Sequence, residues 1–179
     1  MKQYNKSGDI IHTSLYGGEK IAKDSLIVDA YGTIDELNTF VALARSRIED
    51  ADIKSILHDI QKNLLKIGSD LATPLDKEPL VKRIPKDSVV ELEKIIEKYE
   101  KDLSPINRFI VPGGAEESSL LHIVRSIARR AERRLVTLKK EREINENIAM
   151  YLNRLSDLMF TLARLMNKRK GVSDELWVR

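Results

Sequence analysis

The chain has 179 residues, 42% hydrophobic and 33% charged, with 31 Lys and Arg against 28 Asp and Glu. That supplies enough apolar material for one ordinary domain and too little for comfortable division into two. Zero cysteines exclude disulfides, thiolate metal sites and a cysteine nucleophile, and a net charge of +3 gives only weak overall attraction to polyanions.

Aromatic residues are 5% of the chain, and the five prolines fall at positions 74, 79, 85, 105 and 112. Long Pro-free stretches favour helices over a β-sandwich. Met1 to His12 has no apolar core of signal-peptide length, and no apolar run approaches the roughly 18 residues of a membrane span. A soluble cytoplasmic protein with no membrane contact is expected.

Residues 1–23 are polar and Gly-rich, with short β-like pieces around Thr13 to Tyr16, and read as an irregular arm ending at Lys23-Asp24-Ser25. Five helical patterns follow. The first, about Ser25 to Ile48, carries Ile27, Ala30, Ile34, Leu37, Val41 and Ala44 in steps of three and four. The second, about Ala51 to Leu71, repeats this with Ile53, Ile56, Leu57, Ile60, Leu64 and Ile67.

A charged, Pro-bearing connection from Thr73 to Pro85 breaks the periodicity. Ser88, with Glu91 three residues later, then reads as a capping box opening a third helix with Leu92, Ile95, Ile96 and Tyr99 on its apolar side. The turn-rich Asn107 to Gly114 precedes a fourth pattern from about Glu116 to Glu141. Asn145 is predicted to cap the last helix, which runs to about Lys168. The expectation is all-α: one domain over 1–179, with an arm (1–23), an up-and-down five-helix bundle (24–170) and a tail (171–179). The segments from Ala51 to Ser104 read as packing helices and connections without chemistry.

In the fourth helix Leu120, Val124, Ile127, Ala131, Leu135 and Leu138 form the predicted core face. A second line, Ser118, His122, Arg125, Arg129 and Glu132, lies about 90° or more away. The last helix places Asn153, Asp157 and Arg164 on a shared flank, and the first has Asp35, Asn38 and Arg45 outside its apolar stripe. Converging, these flanks would hold a polyanionic ligand and orient it through arginine forks. Taken singly they read equally as solvated side-chain pairs, and His122 fits packing as well as chemistry.

Conventional catalytic signatures are absent. Gly17-Gly18-Glu19-Lys20 lacks the spacing and hydroxyl of a phosphate loop, there is no Glu-x-x-His pair for a di-iron bundle, and His12, His58 and His122 are too scattered for a triad. No protein metal site is expected.

Three separated segments carry a family resemblance. They are Ser7-Gly8-Asp9 through Thr13-Ser14 to Lys23 with Ala30 to Asn38; Phe109 to Gly114 with Leu121 to Arg125 and Arg129 to Arg133; and Tyr151 to Asp157. In order and spacing they resemble the ATP:cob(I)alamin adenosyltransferases of the propanediol-utilisation type, over more than half of the chain. Two positions depart from the family pattern, Asn5 where Thr is usual and Ile11 where Gly is usual.

The resemblance implies a ferritin-like five-helix bundle assembled as a homotrimer with sites between subunits. It implies transfer of the 5′-deoxyadenosyl group from ATP to cob(I)alamin, with release of triphosphate. Ser7, Gly8, Asp9, Thr13, Ser14 and Lys23 are then expected to cradle the triphosphate with Mg²⁺. Arg125, Arg129, Glu132 and Asn153 would hold and orient ATP. Asp35 would pair across the interface with Arg125, and Phe109 would crowd the lower face of the corrin. Without the resemblance, Phe109 reads equally as a core aromatic capping the bundle end. A reductase and an adenosylcobalamin-dependent mutase are the implied protein partners.

Two other classes fit the residues. Arg125, Arg129, Arg130, Arg133, Arg134, Lys139 and Lys140 on one helix could serve a nucleic-acid binder, although they wrap around the helix instead of lining one edge. A catalytically slow trimer that senses ATP or delivers cofactor would carry the same site residues.

Overall fold

The computed structural model describes residues 11–15 and 18–178. In chain order it comprises β1 (His12–Ser14), β2 (Lys20–Ala22), α1 (Leu26–Arg47), α2 (Ala51–Leu71), α3 (Asp87–Glu100), α4 (Glu116–Leu138) and α5 (Glu146–Arg169). The five helices and their order match the up-and-down bundle read from the periodicity.

The described part of the arm is regular, which corrects the expectation of an irregular segment. β1 and β2 pair antiparallel, with Thr13 opposite Ile21 and Ser14 opposite Lys20. β-branched residues suit this pairing, and Gly18, at φ +80°, takes the turn conformation that a Cβ would oppose. Its N–H donates to the Leu15 carbonyl at 2.9 Å, and Leu15 is buried in the bundle core.

α5 is the central helix. It packs against α4 on one side and α3 on the other, while α1 lies between α4 and α2. The predicted stripe of α1 is buried as expected, as is the periodic face Leu152, Leu155, Met159, Leu162 and Met166 of α5, which also buries Tyr151, Leu158, Ala163, Leu165 and Asn167. On α4 the predicted residues Val124, Ile127, Ala131, Leu135 and Leu138 are buried and Leu120 is only partly covered, while the buried face extends further to Leu121, Ser118 (0% exposed) and His122 (5%). α4 is clasped between α1 and α5, so a flank that would be wet on a surface helix is covered.

Helix starts are mixed. Asp50 accepts from the Ile53 N–H at 3.0 Å and Asn145 from the Asn147 N–H at 3.1 Å, so the Asn145 cap is as predicted. The capping box at Ser88 does not form: α3 begins a residue earlier, Ser88 is buried inside its first turn, and Lys86 at the cap makes no side-chain bond. The chain enters α3 through a tight turn in which Ser88 and Val89 donate to the carbonyls of Pro85 and Lys86. α4 ends at Leu138, and the residues to Glu141 continue as turns.

One buried polar cluster fixes the long connection. Asp70, 2% exposed at the end of α2, is ion-paired with Arg83, accepts from the Ile84 N–H at 3.2 Å and accepts from Asn145 Nδ2 at 2.7 Å. The other arm of Arg83 donates to the carbonyls of Pro74 (2.7 Å) and Lys77 (3.0 Å). α2, residues 73–85 and the start of α5 thus meet at one carboxylate.

At the opposite end, the tail returns to the loop before α4. Ile110 and Leu176 form an antiparallel bridge, the Val111 N–H donates to Glu175 at 2.8 Å and the Trp177 N–H to Phe109 at 2.8 Å. Nothing in the sequence periodicity foretold this pairing. Among the described residues no helix is long and apolar enough to cross a membrane.

Candidate active site

Arg125 and Arg129 stand one turn apart on α4 and line a cavity of about 490 Å³ between α3, α4 and α5. The volume is in the range of small-molecule sites. α5 contributes Arg154, Ser156, Asp157, Phe160 and Thr161 to the walls, and α3 contributes Glu93, Glu97 and Glu100. Arg154 bridges the two helices, donating to Glu93 at 3.1 Å and to Asp157 at 2.6 Å.

One turn further along α4, Glu132 accepts from Asn153 Nδ2 at 3.1 Å. The structure therefore brings together four of the residues expected to hold a nucleotide. Three carboxylates of α3, Glu93, Glu97 and Glu100, also face the same cavity as the arginines, a placement that the reading of α3 as a packing helix did not include. A stripe of Glu at helical spacing is indistinguishable in sequence from a solvated face.

Burial, and then neighbouring Arg129, hold the Arg125 guanidinium below its ordinary pKa. Its Nε is buried without a hydrogen-bond partner among the described residues. An arginine fork in this state, still protonated, is poised to take an anionic acceptor.

His122 lies one turn before Arg125 and packs edge-on to Phe160, ring centres 6.0 Å apart. Its Nδ1 has no partner among the described residues. Burial lowers its pKa, Arg125 lowers it further, and Asp174 acts weakly in the other direction. His122 is packed against Phe160, as the packing reading expects.

Phe109 is 80% exposed, so it is not a core aromatic. It lines a second cavity of about 650 Å³ together with Ile106, Ile110, Pro112, Arg125 and Phe160. Arg125 and Phe160 line both this cavity and the one holding Arg129. An arginine-rich chamber and an apolar chamber thus share a wall.

Asp35 and Ser14 lie elsewhere in the chain. They line a third cavity of about 420 Å³ between the hairpin, α1 and α2, with Tyr31, Asn38 and Ser69. Thr13 is half-buried in β1, and Lys23 is exposed just beyond β2, its N–H donating to the Ile11 carbonyl at 2.9 Å. Ser7, Gly8 and Asp9, with Asn5, are outside the described residues, while Ile11 is exposed. The predicted site residues of one protomer therefore line separate cavities. Of the other α4 cations, Arg130 is paired with Glu36 and Arg134 with Asp29 (2.9 Å), which interrupts the basic surface.

The profile of the cobalamin adenosyltransferase family matches residues 3–166. The chain belongs to the cobalamin adenosyltransferase family. Among relatives of this family, the corrinoid adenosyltransferase of Bacillus subtilis is 44% identical over 178 residues, covering 97% of this chain and 91% of that protein. The human corrinoid adenosyltransferase MMAB is 38% identical over 184 residues, covering 99% of this chain and 74% of that protein.

The same family provides solved structures. A phenylalanine-to-alanine variant of the PduO-type ATP:corrinoid adenosyltransferase from Lactobacillus reuteri, complexed with cobalamin and ATP, superposes with a TM-score of 0.94 at 37% identity, covering 98% of this chain and 99% of that one. An arginine-to-lysine variant of that enzyme complexed with ATP gives 0.92 at 37% identity, with coverage of 98% and 99%. The mostly helical bundle with a small N-terminal hairpin is the architecture of these cobalamin adenosyltransferases.

Proposed function

We propose that the chain transfers the 5′-deoxyadenosyl group of ATP to the cobalt of cob(I)alamin, forming adenosylcobalamin and releasing triphosphate. The observation that carries the reading is the wall shared by the two chambers: Arg125 faces both the arginine-lined cavity and the one edged by Phe109. Reduced cobalt is the nucleophile, so no protein nucleophile is required. The Co–C5′ bond forms as the C5′–O bond breaks, and the electron pair leaves with the triphosphate.

The protein's tasks are alignment and charge stabilisation. Arg125 and Arg129 hold the nucleotide through charge-assisted hydrogen bonds. Glu132, oriented by Asn153, fixes the adenosine end, and Phe109 presents an apolar edge to the corrin. In this reading Phe109 disfavours the lower axial ligand of the corrin, giving a four-coordinate cob(II)alamin that is easier to reduce.

The half-site of Ser14 and Asp35 is separate from the arginine cavity of the same protomer. The reading therefore needs a second copy to bring its arm, with Ser7, Gly8, Asp9, Thr13, Ser14 and Lys23, to the triphosphate, and a homotrimer satisfies this with one such junction per subunit. Asp35 then faces the neighbour's arginine chamber. Among the described residues no cluster of three His, Cys, Asp or Glu side chains could hold a metal ion. Mg²⁺ would be carried on the triphosphate, where it would neutralise the leaving charge and the Thr13 and Ser14 hydroxyls would be available to it. A cytoplasmic location, a reductase that supplies cobalt(I) and a mutase that takes the product complete the reading.

The test is direct. Purified protein mixed with ATP, Mg²⁺ and chemically reduced cobalamin should convert the absorbance spectrum to that of the alkylated corrinoid. No conversion over hours with saturating ATP would leave a binding protein and reject the enzyme.

A further inference from the structure

Phe109 carries a large apolar side chain with little protein around it, so side-chain packing does not set its direction. Its backbone does. The Phe109 carbonyl accepts from the Trp177 N–H, the Val111 N–H donates to the Glu175 carbonyl, and Ile110 bridges Leu176, so the tail pairs with the backbone on either side of Ile110. The Phe109 and Trp177 rings meet edge to face, centres 6.4 Å apart at 64°.

The tail is held in turn by one carboxylate. Asp174 accepts from Arg164 Nε at 2.8 Å through one oxygen and from Asn167 Nδ2 at 3.1 Å through the other. Both donors are buried residues on α5, the most enclosed helix of the bundle. The Arg164 guanidinium also donates to the Ser104 carbonyl at 2.7 Å, and Asn167 Nδ2 to the Gly113 carbonyl at 3.1 Å. The two ends of the Phe109 loop and the tail thus converge on the same two side chains.

We infer that Asp174 is a positioning residue for the proposed corrin-facing Phe109, acting by latching the C-terminal tail to Arg164 and Asn167 so that the tail holds Phe109 by backbone pairing. The inference rests on the corrin reading of Phe109. Asp174 does not line the arginine chamber, so its main effect is expected on the Phe109 side. A charge-assisted pair with a buried arginine is directional, which suits a latch better than apolar contact alone.

Trp177 is the single tryptophan of the chain, so its fluorescence reads tail docking without interference. Asp174→Ala should red-shift its emission and raise acrylamide quenching. With ATP, Mg²⁺ and cob(II)alamin, the four-coordinate spectral signal should fall about tenfold or more, since the charge-assisted hydrogen bonds from Arg164 and Asn167 are both lost. ATP affinity should change less than about twofold, as for independent sites. Asp174→Asn, isosteric and able to keep one acceptor, should shift both signals in the same direction by less, and replaces the alanine variant if that one loses helicity. A docked, unshifted Trp177 in these variants, or a released Trp177 with a full four-coordinate signal, overturns the latch. Phe109→Ala run alongside separates the two layers: a full signal in that variant rejects the corrin reading itself.

Discussion

Asn167 occupies the space that a side chain on Gly114 would need. A Cβ added at Gly114 would lie 2.7 Å from Asn167 Nδ2 and 2.8 Å from its Cγ. Asn167 is not free to swing away, because its Oδ1 accepts from the Ala115 N–H at 3.0 Å and its Nδ2 donates to Gly113 and Asp174. Gly114 also sits at φ +98°, where L-residues are strained. Gly114→Ala is expected to cost at least about 2 kcal/mol of stability. Urea denaturation of the two proteins checks this, and an unchanged midpoint would mean that the loop relaxes freely.

Arg129 is exposed on the rim of its cavity, without the burial of Arg125. Its removal should leave the fold intact and weaken ATP placement. Arg129→Ala is expected to raise the KM for ATP about tenfold or more, the loss typical of a charge-assisted contact. Wild-type kinetics at subsaturating ATP would remove Arg129 from the site.

Asp35 is exposed in the isolated protomer, beside a cavity that Ser14 also lines. If a neighbour covers it in the proposed trimer, Asp35→Asn should shift the assembly towards smaller species and lower activity in parallel. An exposed carboxylate would make the change nearly silent. Analytical ultracentrifugation at several concentrations, paired with turnover, distinguishes the two.

Burial and the adjacent Arg125 depress the His122 pKa, so the folded state prefers neutral imidazole. The unfolded chain, with an ordinary value near 6.5, takes up the proton first as pH falls. Stability from this residue is therefore complete above about pH 6.5 and declines as pH drops towards the folded-state pKa. His122→Phe, which keeps a ring against Phe160, should show a smaller loss of urea midpoint between pH 7.5 and pH 5 than the parent. Equal losses would show that His122 contributes nothing to acid sensitivity.

Arg83 neutralises a carboxylate that is otherwise enclosed. Arg83→Met leaves Asp70 with two hydrogen bonds but no counter-charge, and should destabilise by about 3 kcal/mol or more. Adding Asp70→Asn should recover part of that loss. A double-mutant cycle by thermal unfolding measures the coupling, and additive effects would mean the pair is not interacting.

The bundle was legible because steps of three and four mark one face of each helix, and α1, α2 and α5 bury those faces. That Arg125 and Arg129 share a cavity was foreshadowed only by their placement on one flank of α4. The remainder depended on tertiary contacts with no local trace. Ser118 and His122 look like a polar flank until a second helix covers them. Ser88 and Glu91 have the spacing of a capping box, but the turn from Pro85 starts the helix before Ser88 can cap it. Glu93, Glu97 and Glu100 became cavity walls because α3 docks beside α5, and Asp174 became a latch because the tail doubles back.

α3 rests mainly on α5, whereas α4 and α1 are each supported from two sides. In amide exchange, the deeply wrapped centre of α5 should open only with the whole molecule, and α3 should be released earlier by sub-global excursions. The acidic wall of the arginine chamber is therefore carried by a helix anchored from one side, so adjustment to ligands of different bulk can come from breathing of α3 while the doubly supported wall of α4 stays still.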